Sequence, residues 1–113
     1  MDDLIRAIDD YPNGTRLIVE WLNGYTVLGE IDTIYDSDDG EEPGDDNYQV
    51  TYICVFHVLE ILNRSIEKEY FGKGDLIEIS MKNPPSRVFT IDGKVIWIGY
   101  TKLYRKDEVM VYS

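Results

Sequence analysis

Apolar and polar residues alternate with a period of two over much of this chain, and turn residues interrupt the alternation at close spacing. Between Leu17 and Asp36, two β-branched, apolar runs flank Asn23-Gly24. Asn and Gly both tolerate positive φ, so the pair predicts a hairpin closed by a type I′ turn. On the first arm Leu17, Val19 and Trp21 share one face, and Ile18, Glu20 and Leu22 share the other. On the second arm Val27, Ile31 and Tyr35 are the inward candidates. Gly29 sits within that arm, where a glycine marks a bend, a bulge or a close backbone approach.

The other elements follow from the same pattern. Asp2 to Asp10 reads as a short helix, capped by Asp2 or Asp3, with Leu4, Ile5 and Ile8 as its apolar stripe. Pro12 and Asn13-Gly14 end it. Tyr48 to Leu62 is the most continuous apolar run and predicts a long central strand, covered on both faces, with a bend or bulge near Cys54. Asn63 to Gly74 fits an edge strand or a short helix. Leu76 to Ser80 alternates as a further strand, and Asn83-Pro84-Pro85 is a rigid connector. Val88 to Tyr100 is a second hairpin, again with a type I′ signal at Asp92-Gly93. Residues 101–113 read as a C-terminal strand extension, a candidate edge for dimerisation. The fold class is mainly β: a small bent-strand barrel with a short N-terminal helix, one domain over 1–113.

Composition supports a folded core. Of 113 residues, 43% are apolar and 12% aromatic, enough to bury a core without covalent staples. Charge adds more. The net charge is −11, and fourteen of the 22 acids precede Asn47, where only Arg6 and Arg16 oppose them. From Asn47 onward eight acids meet nine bases. Such a field repels nucleic acid and anionic membranes and attracts basic partners; it also serves solubility. Its densest part is Asp36 to Asn47, with seven acids, two glycines, one proline and no apolar residue, which predicts a surface loop over 37–47.

Candidate chemistry is sparse. Cys54 is the single cysteine and His57 the single histidine, so neither a disulfide nor a Cys/His metal cluster can form within the chain. Three residues apart on one strand, the two side chains point to opposite faces and cannot pair as nucleophile and base. The acidic loop fails the EF-hand pattern, because position 5 from Asp36 is Gly40 and position 12 is Asn47. No phosphate-binding glycine loop is present. These features assign no catalytic residue, no metal and no cofactor. The acidic N-terminus lacks an apolar signal segment and no run is long enough to span a membrane, so the expected location is the cytoplasm.

The first hairpin resembles the first motif of the Sm and Sm-like small barrels. The matching positions are Leu17, Val19, Trp21, Asn23-Gly24, Val27, Gly29, Ile31 and Tyr35-Asp36, with the Asp one place later than that family's spacing. Ile91 to Ile98 looks like a degenerate second motif. The resemblance implies an SH3-like or Sm-like barrel and, as one alternative, an oligomeric RNA-binding protein. It departs from the family where RNA would bind: Asp92 replaces the motif's Arg, and its Asn is absent. RNA affinity depends on neutralising phosphates, which the excess of acids before Asn47 opposes.

Tyrosines among the acids suggest another chemistry. Tyr11, Tyr25, Tyr35 and Tyr48 lie near acidic segments. They either cap the core at strand ends or anchor a partner that the acids steer. The functional expectation is a non-catalytic cytosolic protein, monomer or homodimer, that engages a basic protein partner. An inhibitor, an immunity protein or a nucleic-acid mimic would share this logic. The candidate contact residues are Tyr35, Asp36, Asp38, Asp39, Glu41, Glu42, Asp45, Asp46 and Tyr48.

Overall fold

The computed structural model of the chain describes residues 1–38, 50–64 and 72–99. One helix is followed by six strands: α1 Asp3–Asp9, β1 Arg16–Glu20, β2 Thr26–Asp38, β3 Val50–Asn63, β4 Leu76–Ile79, β5 Arg87–Thr90 and β6 Val95–Ile98. They form a single open antiparallel sheet in the order β4-β3-β2-β1-β5-β6. The predicted tail over 101–113 and most of the ambiguous segment after Arg64 lie outside the described residues.

Asp2 caps α1 by accepting a hydrogen bond from the Ile5 amide at 2.8 Å. This settles the choice between Asp2 and Asp3. The helix buries Leu4, Ile5 and Ile8 completely and packs against β3 and β6, on opposite sides of the sheet order. Its stripe meets Leu17 and Val19 of β1, Val27 and Ile31 of β2, Cys54, Phe56 and Val58 of β3, Ile79 of β4 and Val88 of β5 in one core. Burying apolar surface of this kind is the dominant stabilising term. No helix among the described residues is long and apolar enough to cross a membrane.

The ladder between β2 and β3 is irregular, and the irregularities are local. The β2–β3 register shifts three times, between Thr26 and Val27, Leu28 and Gly29, and Ile31 and Thr33. Leu62 and Leu59 on β3 and Asp32 on β2 are the extra residues. Each extra residue increases local twist and reverses the alternation beyond it. The Asp32 bulge belongs to β2 and lies opposite the step from Phe56 to Val55, whereas the extra residues of β3 itself are Leu59 and Leu62, away from the bend or bulge expected near Cys54.

That bulge corrects one inward assignment. Unbroken alternation from Ile31 would carry Tyr35 into the core. With Asp32 inserted, Ile34 pairs with Cys54 and packs on the core, while Tyr35 turns outward and is 40% exposed. A second correction concerns β3. Cys54, Phe56 and Val58 are fully buried, but Val55, His57 and Leu59 on the reverse face remain partly exposed.

The turns also differ from expectation. Trp21 donates its amide to the Tyr25 carbonyl at 2.8 Å, and Gly24 donates to the Trp21 carbonyl at 2.9 Å. This is a three-residue loop, Leu22 to Gly24, with Gly24 at φ +89° taking up the twist. The same bonds recur from Thr90 to Lys94, where Gly93 has φ +95°. In the first hairpin the extra pair sets the Trp21 and Tyr25 rings 6.2 Å apart.

Candidate partner-binding site

β2 runs further than the sequence predicts. Asp36, Ser37 and Asp38 pair with Tyr52, Thr51 and Val50, so the acidic segment begins as an ordered strand end rather than as a loop. Of the nine predicted contact residues, Tyr35 and Asp36 are fully described, and Asp38 is placed by its backbone. Asp39, Glu41, Glu42, Asp45, Asp46 and Tyr48 lie outside the described residues.

The Tyr35 hydroxyl donates to Glu78 Oε2 on β4 at 2.9 Å, reaching across β3. This bond raises the tyrosine's pKa above its usual value, with burial and the carboxylate charge adding to the effect. Glu78 lies 43 residues away in sequence and was not among the predicted site residues. Only the bulge and the β3–β4 register bring the two together. Beneath them Ile53, paired with Tyr35, is buried yet stands apart from the main core cluster.

Tyr11 and Tyr25 behave otherwise. Tyr25 is fully buried and Tyr11 packs on the core from the end of α1. Burial pushes the Tyr25 hydroxyl's pKa up, Arg64 draws it down and Asp75 raises it further. These two tyrosines follow the core-capping alternative.

Tyr25 also helps to line a groove of about 550 Å³ between the β1–β2 turn and the edge strand β4. Trp21, Leu22, Ile77, Glu78 and Pro84 lie along it. Ile77 faces the core with Phe56, whereas the next residue, Glu78, turns its carboxylate to the outer face and Tyr35. Sequence reading missed the groove, because its walls come from three separate segments.

On the reverse face, Leu28, Ile18, Phe89 and Val95 occupy successive paired positions across β2, β1, β5 and β6. Arg87 lies over the Phe89 ring at 5.7 Å and contacts Glu20 at 2.7 Å.

Cys54 and His57 fall on opposite faces, as their spacing predicts. Burial, reinforced by Asp32, pushes the Cys54 thiol up to about 12, so it is no nucleophile at neutral pH. His57 Nδ1 sits 3.8 Å from Glu30 Oε2 on the outer face. Asp92 stands at the exposed β5–β6 turn, where its carboxylate accepts from the Thr90 hydroxyl and is held below the usual range chiefly by that bond. Among the described residues no three His, Cys, Asp or Glu side chains cluster as a metal site.

No curated protein and no solved structure matches the chain. A family model does match, over residues 1–100. That span includes the helix and the six strands of the described residues, with the acidic segment between them, and the chain belongs to the family described as cognate immunity protein YxxD.

Proposed function

We propose that this chain is a non-catalytic immunity protein that binds and neutralises a basic toxin in the cytoplasm, using the acidic surface that begins at Tyr35. The family match carries the reading: an immunity protein acts by binding its cognate partner. The charge distribution supports the partner's basic character, since fourteen acids precede Asn47. Tyr35, exposed beside Asp36 and bonded to Glu78, supplies an aromatic anchor within that field. The buried, protonated Cys54 thiol and its separation from His57 favour binding over catalysis.

The bulged β2–β3 ladder and Gly29 favour a small barrel of SH3-like type, with α1 packed against both β3 and β6. The Sm-like RNA-binding alternative places the anionic Asp92 where that resemblance would need a cation.

The test is capture from the native host with the full chain at low salt, followed by growth rescue. Recovery of a basic toxin whose lethality is relieved by co-expression of this chain is the expected result. A captured RNA, together with a ring-sized mass in solution, would overturn it.

A further inference from the structure

We propose that the C-terminal segment 101–113 folds back over the reverse face of the sheet and covers the apolar row formed by Val95, Phe89, Ile18 and Leu28. The inference is independent of the immunity reading. It assigns this face to the chain itself rather than to a partner.

The row is a continuous apolar strip outside the core. Its four residues are paired in register across β6, β5, β1 and β2. None is part of the core cluster or of the side chains packed against it. Val95 is 43% exposed, and the other three are only partly buried. The strip is also one residue wide. Two positions along the strands, Arg87, Glu20 and Thr26 border it on one side, and Arg16 and Glu30 on the other. So narrow a strip fits a single extended segment laid across the strands.

Three observations name that segment. First, the row begins on β6, the strand from which the segment leaves. Gly99, which donates its amide to the Ser86 carbonyl at 2.8 Å, is the last described residue. Second, the length suffices. Fourteen residues follow Gly99. At about 3.3 Å each they reach about 46 Å, whereas the three strand spacings from β6 to β2 span only about 14 Å. Third, the composition is complementary. Leu103, Tyr104 and the run Val109-Met110-Val111-Tyr112 supply apolar side chains for the row. Lys102, Arg105 and Lys106 supply cations, and the far end of the row lies beside Glu30 and Glu60.

The competing occupants are at a disadvantage. A tethered segment has an effective concentration of about millimolar, so an untethered partner meets a strip already occupied. A second copy would find four side chains, three of them already partly buried. That is far from the roughly 800 Å² per partner that a stable interface buries.

The test uses the full chain with the photo-crosslinker p-benzoylphenylalanine in place of Val95. Irradiation of a dilute sample is followed by digestion and mass spectrometry. Cross-links from position 95 into residues 101–113, in species of single-chain mass, are the expected result. Val109→Asp combined with Met110→Asp puts a charge on each face of the apolar run and should lower that cross-link about tenfold. Neither position lies in the helix or the six strands, and an unchanged circular dichroism spectrum verifies the fold. No cross-link into the segment in the otherwise wild-type chain overturns the proposal. So do cross-links confined to species of dimer mass, which assign the row to a second copy, and an unchanged yield in the double variant, which marks chance contact by a tethered tail.

Discussion

Phe56 occupies the space that a side chain on Gly29 would require. A Cβ built on Gly29 would lie 2.8 Å from Phe56 Cζ and 2.5 Å from the His57 carbonyl oxygen. The glycine is there for close approach, since it lets the ring of β3 fold down over β2 at the register shift between Leu28 and Gly29. Gly29→Ala is expected to lower stability by about 3 kcal/mol, the upper end for an overpacked core, because one clashing atom is backbone. Urea unfolding checks this, and an unchanged midpoint would mean that Phe56 has room to move.

Ile8 tests whether the helix belongs to the core. A helix of seven residues is too short to stand alone, so its order depends on burying Leu4, Ile5 and Ile8. Ile8→Ala is expected to cost about 2–5 kcal/mol. Circular dichroism and tryptophan fluorescence should report one shared transition, shifted to lower urea. A separate early loss of helix would show α1 to be an appendage.

Cys54 makes a pH prediction. Its thiol pKa is raised to about 12 from the ordinary value of 9.0, mainly by burial. The folded state therefore holds the proton more tightly than the unfolded state. The associated stability is complete below about pH 9 and is lost as pH climbs toward about 12, in total about 4 kcal/mol at the conversion of 1.36 kcal/mol per unit. Cys54→Val should flatten that alkaline decline relative to wild type. Equal slopes in both proteins would place the decline on other groups, the tyrosines foremost.

Reversing the charges of Asp38, Asp39, Glu41 and Glu42 to lysine should slow association with the toxin and leave dissociation nearly unchanged. The difference should shrink as salt rises, because exposed charges are screened beyond about 8 Å at physiological ionic strength. Stopped-flow binding at two salt concentrations measures it. An on-rate equal to wild type would remove the segment from the interface.

Much of the fold was legible from alternation alone. The helix, both hairpins and the central strand lie within a few residues of their predicted places, because Leu4, Ile5 and Ile8 keep a helical stripe and Leu17 and Val19 keep a strand period. What the pattern could not carry was the phase beyond a bulge. One inserted residue, Asp32, exchanged the faces of Ile34 and Tyr35, and nothing in an exposed aspartate announces that role. Turn type was similarly hidden. An Asn-Gly or Asp-Gly pair fits both a two-residue loop and a three-residue one, and the Trp21–Tyr25 pairing decides. For the candidate site, composition located the acids and tyrosines. The Tyr35–Glu78 contact and the groove depend on a strand order that local sequence does not encode.

The packing of α1 against β6 also sets when this molecule becomes competent during its own synthesis. The first element of the chain completes its burial on the last described strand, and β1 waits for β5 before it gains its second neighbour. Until about residue 98 has cleared the ribosome exit tunnel, Leu4, Ile5 and Ile8 have only part of their final surroundings. Competence to bind a partner therefore follows the emergence of β6, however early the helix and the acidic segment are made.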